Sequence, residues 1–372
     1  MVLELDRSQW IKKPLIEVAT LQRGYDLPVH QRTDGEYPVF AANGPHGTHS
    51  EAMCKGPGVV TGRSGTIGKV HFVDSDYWPL NTSLFVKDFH GNDPKWVFYM
   101  LQSFGLDRFA QGAGVPTLNR NLVHYELVDV PPLEEQKRIA AILDKADSLR
   151  RKRQQAIELA DQFLRALFLD MFGDPVANPK GFSVGIIRDL VESANYGTAE
   201  KAHETEGEFP VLRMNNITYE GNWDFTSLKY VDLSEKDQPK YLARKGDVLF
   251  NRTNSKELVG KTAVFEEDRP MAIAGYLVRV RTNSLGNPYY ISAYLNSVHG
   301  KKTLQNMCKS IVGMANINAQ EMQNIAILLP PLELQDKFSE IAKATRGKIK
   351  MMSDISVRTD SLFNSLANDA FS

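Results

Sequence analysis

Two sets of side chains along this chain are suited to holding nucleic acid. The first is Arg23, Asn43, Arg63, Ser64, Lys69, Asn119 and Arg120. The second is Arg213, Asn215, Asn216, Arg252, Asn254, Lys256, Lys261, Asn316 and Asn318. Arginine and asparagine can pair bidentately with guanine and adenine edges, and lysine and serine suit phosphate oxygens. Any one of them alone is an ordinary solvated loop residue; recurring at equivalent places in two stretches, they point to DNA contact. Catalytic patterns are weak beside them. Ser255 to Thr262 differs by one residue from a phosphate-binding loop, but Ser255 stands where the first glycine must let the backbone wrap phosphate. The corresponding stretch of the first set, Gly62 to Val70, has the wrong spacing and Val70 in place of a metal-binding hydroxyl. Asn287-Pro288-Tyr289-Tyr290 resembles the substrate loop of amino-methyltransferases but lacks its second proline and any glycine-rich cofactor turn, and so reads as a plain turn. His46 and His49 have no Cys or carboxylate at metal-ligand spacing, so no metal site is expected. The expectation is a binding protein without catalytic residues.

These side chains need two similar frames to position them, and the sequence contains an internal repeat. Gly35-Glu36-Tyr37-Pro38-Val39 returns as Gly207-Glu208-Phe209-Pro210-Val211, and Val59 to Arg63 aligns with Val248 to Arg252. Pro131-Pro132-Leu133-Glu134-Glu135-Gln136 returns as Pro330-Pro331-Leu332-Glu333-Leu334-Gln335. The offset grows from 172 to 199 residues along the chain, as loop insertions in the second copy would produce. Each copy opens with short apolar runs punctuated by Gly, Asn and Pro, which predicts an α+β domain.

After each double proline comes a long segment without proline. In the first, Ile139, Ile142, Ala146, Leu149, Ala156, Ala160, Phe163 and Leu167 recur at spacings of three and four, broken by Arg153. That is a heptad seam. The second seam is weaker: Leu334, Phe338, Ile341, Met352, Ile355, Leu362 and Leu366. A helix of about 40 residues is about 60 Å long and needs a partner for such a seam. Antiparallel pairing of the two helices would put the globular domains at opposite ends of a rod. The expected fold class is therefore α+β: two duplicated domains separated by a pair of long antiparallel coiled-coil helices. The expected boundaries are 1–130 and 174–329 for the domains, with 131–173 and 330–372 for the helices.

Composition narrows the class. The 372 residues carry 44 Lys and Arg against 45 Asp and Glu, a net charge of −1. Over 1–130 there are 12 basic and 14 acidic residues, and over 174–329 there are 18 of each. A lone nucleic-acid binder usually has a basic excess. Binding by the isolated chain is therefore expected to be weak and salt-sensitive, with partners supplying part of the electrostatics. The longest aliphatic run, Ile325 to Leu329, is far below membrane-spanning length, and Met1 to Pro14 shows no apolar signal core. Cys54 and Cys308 fit neither a disulfide scaffold nor a zinc site. A soluble cytoplasmic protein is the expectation.

Two diverged domains, each followed by Pro-Pro-Leu-Glu-x-Gln and a long helix, resemble the specificity subunit of a type I restriction–modification enzyme. Phe168 to Pro175 running on through Asn178-Pro179-Lys180-Gly181-Phe182 is similar to that family's central region. So are Gly62 to Lys69, Arg252 to Ser255, and Val259-Gly260-Lys261. The resemblance covers essentially the whole chain. It implies that each domain is a target-recognition domain reading one half of a split duplex DNA sequence. It further implies that the helices act as spacer and dock two methyltransferase (modification) subunits, joined in some systems by two motor–nuclease (restriction) subunits. S-adenosylmethionine, ATP and Mg would then sit on those partners, with no cofactor in this chain. A different class of reading is a coiled-coil scaffold with two domains for ligands other than nucleic acid. A fused methyltransferase is disfavoured by the missing cofactor loop.

Overall fold

The computed structural model describes residues 5–112, 114–311 and 314–371; Met1 to Glu4, part of the N-terminal stretch read above, lie outside the described residues. The chain forms two compact units. One comprises residues up to Gln154 together with those from Asp354 on, and the other runs from Gln155 to Ser353. Both mix helix and strand, and they repeat one plan.

In the first unit an antiparallel sheet has the spatial order Thr20–Arg23, Ser83–Asp88, Gly58–Gly62, Val70–Val73. In the second the order is Val191–Tyr196, Leu277–Thr282, Val248–Asn251, Thr262–Val264. A smaller sheet in each unit contains a parallel pair, Val39 opposite Trp78 and Val211 opposite Ala272. The central strands read as continuous apolar runs, and Val59, Val60, Val248, Leu249 and Phe250 are all at most 1% exposed. One helix covers each main sheet, Pro94–Ser103 in the first unit and Pro288–Asn296 in the second. Both begin with proline after a side-chain cap: Asp93 accepts from Trp96 N, and Asn287 accepts from Tyr289 N. Proline in the first turn costs no hydrogen bond, because that N–H would be unpaired anyway. Asn287-Pro288 is thus a helix start rather than a plain turn.

The same caps anchor the long helices, which run Leu133–Phe172 and Leu332–Phe371. Gln136 is 2% exposed; its Oε1 accepts from Asp93 N (2.9 Å) and its Nε2 donates to Pro131 O (2.9 Å). Gln335 is 0% exposed and makes the matching pair, from Asn287 N (2.9 Å) and to Pro330 O (2.9 Å). The glutamine of the repeated motif therefore ties the first turn of a long helix to the first turn of a domain helix.

Within the first unit Arg153 Nη1 donates to Thr359 Oγ1 (2.6 Å), and the Arg150 guanidinium lies 5.0 Å from the Phe363 ring centre. One residue number falls as the other rises, so the helices run antiparallel. Within the second unit Phe168 and Phe172 meet Phe338 at ring separations of 5.9 and 5.5 Å. The buried face follows the expected seam only in part: Ile139, Phe338 and Leu366 are at most 2% exposed. Leu149 and Phe163 are 48% and 49% exposed, whereas Leu143, Phe168 and Phe172 are at most 4% exposed. On the other helix Ile341 and Ile355 are each 39% exposed, while Ile349 and Phe363 are 4% and 9%. A straight helix has 3.6 residues per turn and drifts about 20° per heptad from a 3.5-residue seam. Both ends of these helices also join domain cores: Ile139, Leu143, Phe363 and Leu366 pack with Trp96 and Leu21, and Phe168, Phe172 and Phe338 pack with Tyr290 and Val248.

Candidate nucleic-acid interface

Each unit holds one arginine in the same backbone cradle. Arg63 follows the strand Gly58–Gly62, and Arg252 follows Val248–Asn251. The Arg63 N–H donates to Thr82 O (2.9 Å), and its carbonyl accepts from Leu118 N (2.8 Å). Arg252 repeats this with Tyr276 O (3.0 Å) and Ile317 N (2.9 Å). One residue on, Ser64 bridges Thr117 as Thr253 pairs with Asn316. Asn119 and Asn318 then each cap a five-residue helix, accepting from Asn121 N (3.0 Å) and Glu321 N (2.8 Å). The loop after Arg63 folds so tightly that a Cβ on Gly62 would lie 1.7 Å from Thr66 O and 2.9 Å from Ala42 O. Only glycine fits there, and the close approach brings the exposed Asn43 beside the Arg63 loop.

Both arginines are half-buried. Arg63 Nε donates to Asn81 O (2.8 Å), leaving its terminal nitrogens without a protein acceptor among the described residues. Asn81 also donates to Asp26, which lies 4.0 Å from the exposed Arg23. Arg120 reaches back to Leu21 O (3.3 Å). Arg23, Asn43, Arg63, Ser64, Asn119 and Arg120 are thus brought together, while Lys69 is exposed at the far end of the Arg63 loop. In the second unit the Arg252 guanidinium lies 4.9 Å from the Tyr196 ring centre, and its Nη2 donates to Asn316 Oδ1 (3.3 Å). Asn254, Asn316 and Asn318 lie with it, and Lys256 is exposed on the following loop.

Two predicted contacts face inward. Asn216 is 2% exposed; its amide donates to Asp224 O (2.8 Å) and Ser227 O (3.2 Å), and its Oδ1 accepts from Arg213 N (2.8 Å). Lys261 is 8% exposed and donates to Met214 O (2.8 Å), with burial lowering its pKa from the usual lysine range. Both side chains fasten the turn Met214–Asn216, which leaves Asn215 exposed and Arg213 half-buried, donating to Ser227 O (3.0 Å). Sequence reading missed Tyr196, Tyr276, Thr82 and Asn81, all around the arginines. The repeat does not mark them, because its offsets of 172 and 189 residues pair Tyr196 with Gly24 and Tyr276 with Lys87.

Over residues 7–159 and 179–356 the chain matches the family described as type I restriction modification DNA specificity domain. The chain belongs to that family. Among relatives of this DNA specificity family, one from Methanocaldococcus jannaschii, named as the MjaX specificity subunit of a type I restriction enzyme, is 30% identical over 167 residues. That match covers 44% of this chain and 39% of the relative. The Escherichia coli EcoKI specificity subunit is 23% identical over 240 residues, covering 60% of this chain and 52% of that protein. The matches therefore span about half the length of these relatives, or less. A crystal structure of the S subunit of a type I restriction-modification system from M. genitalium shares the fold, with a TM-score of 0.72 at 15% identity over 100% of this chain and 98% of that one. Both copies of the repeat fall within the specificity-domain match, one in each matched segment. Among the described residues, no helix is long and apolar enough to cross a membrane.

Proposed function

We propose that the chain is the DNA-specificity subunit of a type I restriction–modification complex, reading a bipartite duplex target without catalysis of its own. The observation that carries this reading is the arginine cradle, built twice from the same backbone hydrogen bonds in a member of a DNA specificity family. Two equivalent frames with different surrounding side chains suit the reading of two different half-sites. Two methyltransferase subunits are the proposed partners of the long helices, with motor–nuclease subunits where the system has them. Exposed apolar side chains that the helix pairing does not cover support docking there: Leu159 and Phe163, one turn apart in the second unit, are 59% and 49% exposed. S-adenosylmethionine, ATP and Mg are assigned to those partners, and the complex to the cytoplasm.

The near-neutral charge of this chain fits a subunit whose grip on DNA is shared with partners. A gel-shift series on bipartite duplexes, with and without the methyltransferase subunits, tests the reading. Sequence-selective binding should appear in the assembled complex and be weak for the chain alone. A complex that binds every duplex equally would overturn it.

A further inference from the structure

We infer that the two matched arginines form a common frame on the DNA backbone, and that base choice is made by the side chains that differ around them: Arg23 and Thr82 in one unit, Tyr196 and Tyr276 in the other. This inference rests on the DNA-reading function proposed above.

The duplication supplies an internal control. Gly24 N donates to Ser83 O (3.1 Å) as Gly197 N donates to Leu277 O (3.1 Å). A Cβ on Gly24 would lie 2.3 Å from Leu80 O, and one on Gly197 would lie 2.3 Å from Ala274 O, so both strands end against the same neighbouring backbone. The residues just before these glycines, Arg23 opposite Leu84 and Tyr196 opposite Val278, therefore occupy one position of the shared scaffold. Thr82 and Tyr276 are matched as well, because each carbonyl accepts the N–H of its unit's cradled arginine.

Phosphate contacts carry no sequence information, whereas base-edge contacts do. Two domains that grip the backbone alike but read different bases should agree at the first kind of position and differ at the second. Arg63 and Arg252 agree, and both are half-buried and held by neighbours. Around them the chemistry diverges while exposure persists. The Arg23 side chain is 54% exposed, with Asp26 at 4.0 Å as its ionic partner. Tyr196 and Tyr276 are 42% and 50% exposed. An exposed guanidinium pairs bidentately with guanine O6 and N7, while an apolar ring edge suits the thymine methyl group. The Tyr196 hydroxyl already accepts from Ala319 N (3.1 Å) and Arg252 lies against the ring, which leaves the uncovered part of that ring as the exposed surface. Arg23 is thus assigned a guanine in the first half-site, and the Tyr196–Tyr276 pair a thymine at the matched place in the second.

The test uses the full chain assembled with its methyltransferase subunits and a library of duplexes randomised in both half-sites. Arg23→Gln should change one guanine to adenine in one half-site, by about tenfold or more, and leave the other half-site as it was. Should that variant fail to assemble, Arg23→Lys reads the same position and should keep guanine with reduced preference. Tyr196→Phe should retain the thymine and Tyr196→Arg should replace it with guanine. Arg63→Gln should weaken binding to all sequences alike and lower the salt slope by about one. The inference is overturned if Arg23→Gln leaves every base preference intact, or if Arg63→Gln rewrites a half-site. A wild-type complex with no bipartite preference would instead overturn the function on which it rests.

Discussion

At the scale of single residues, the most informative side chains are amides. Gln136 and Gln335 look unremarkable in sequence, yet each satisfies at least two backbone groups in a buried junction. Gln136→Ala would strand Asp93 N–H and Pro131 O, and the expected cost is about 1–3 kcal/mol of stability, measured by urea unfolding. His124 gives a second expectation. It is 5% exposed, its Nε2 accepts from Leu21 N (3.0 Å), and burial, then Arg120, lowers its pKa. A folded value below the unfolded one means the neutral ring stabilises the fold above the unfolded pKa of 6.5, and this stability fades as pH falls through the lower folded value. Melting temperature should therefore drop on acidification below neutral in the wild type, and drop less in His124→Gln, which introduces the residue type of the matched Gln323. The repeat made Arg63 and Arg252 legible as a pair. It did not show that Asn216 and Lys261 point inward, because a polar residue in a loop carries no mark of which backbone atoms it will meet.

At the scale of elements, two long helices were legible from the proline-free segments after each double proline, and their antiparallel pairing from the duplication. Their buried face was legible only in part. Ile139 of the expected seam is buried while Leu149 and Phe163 are not, because small and large apolar residues lie all around the first helix and a heptad template cannot choose among them. Leu143 and Leu149 separate the two seams. Leu143 is 0% exposed, so Leu143→Ala should cost about 2–5 kcal/mol. Leu149 is 48% exposed, and Leu149→Ala should change stability by no more than about 0.5 kcal/mol. Chemical denaturation of the two variants decides between them, and the reverse order would restore the heptad seam. Leu149→Ala should instead show its effect in affinity for the methyltransferase subunits, if that exposed face docks them.

At the scale of the whole molecule, the repeat also revealed the order of domain and helix and the shared α+β plan. Each unit has its own sheets and its own arginine cradle, so specificity should be exchangeable one unit at a time. Replacing residues 180–329 with the matching segment of another family member should alter one half of the methylated sequence and preserve the other. Methylation mapping in cells carrying the exchange gives the result, and simultaneous change in both halves would count against independent reading. Sequence comparison could not show how the units are closed. A repeat aligns residues by similarity, whereas the first unit is completed by residues from Asp354 on, which come from the far copy of the repeat.

That closure sets an order in time. Phe363, Leu366 and Ala370 belong to the same core as Trp96, Ile139 and Leu143, and Arg7 Nη2 donates to Asp369 O (2.6 Å). A ribosome adding about 5–20 residues per second needs about 10–40 s to travel from Gln154 to Asp354. Throughout that interval the first unit waits with an apolar face uncovered, while every residue of the second has been made by Ser353. The half of the protein that is synthesised first is therefore the half that can finish folding last.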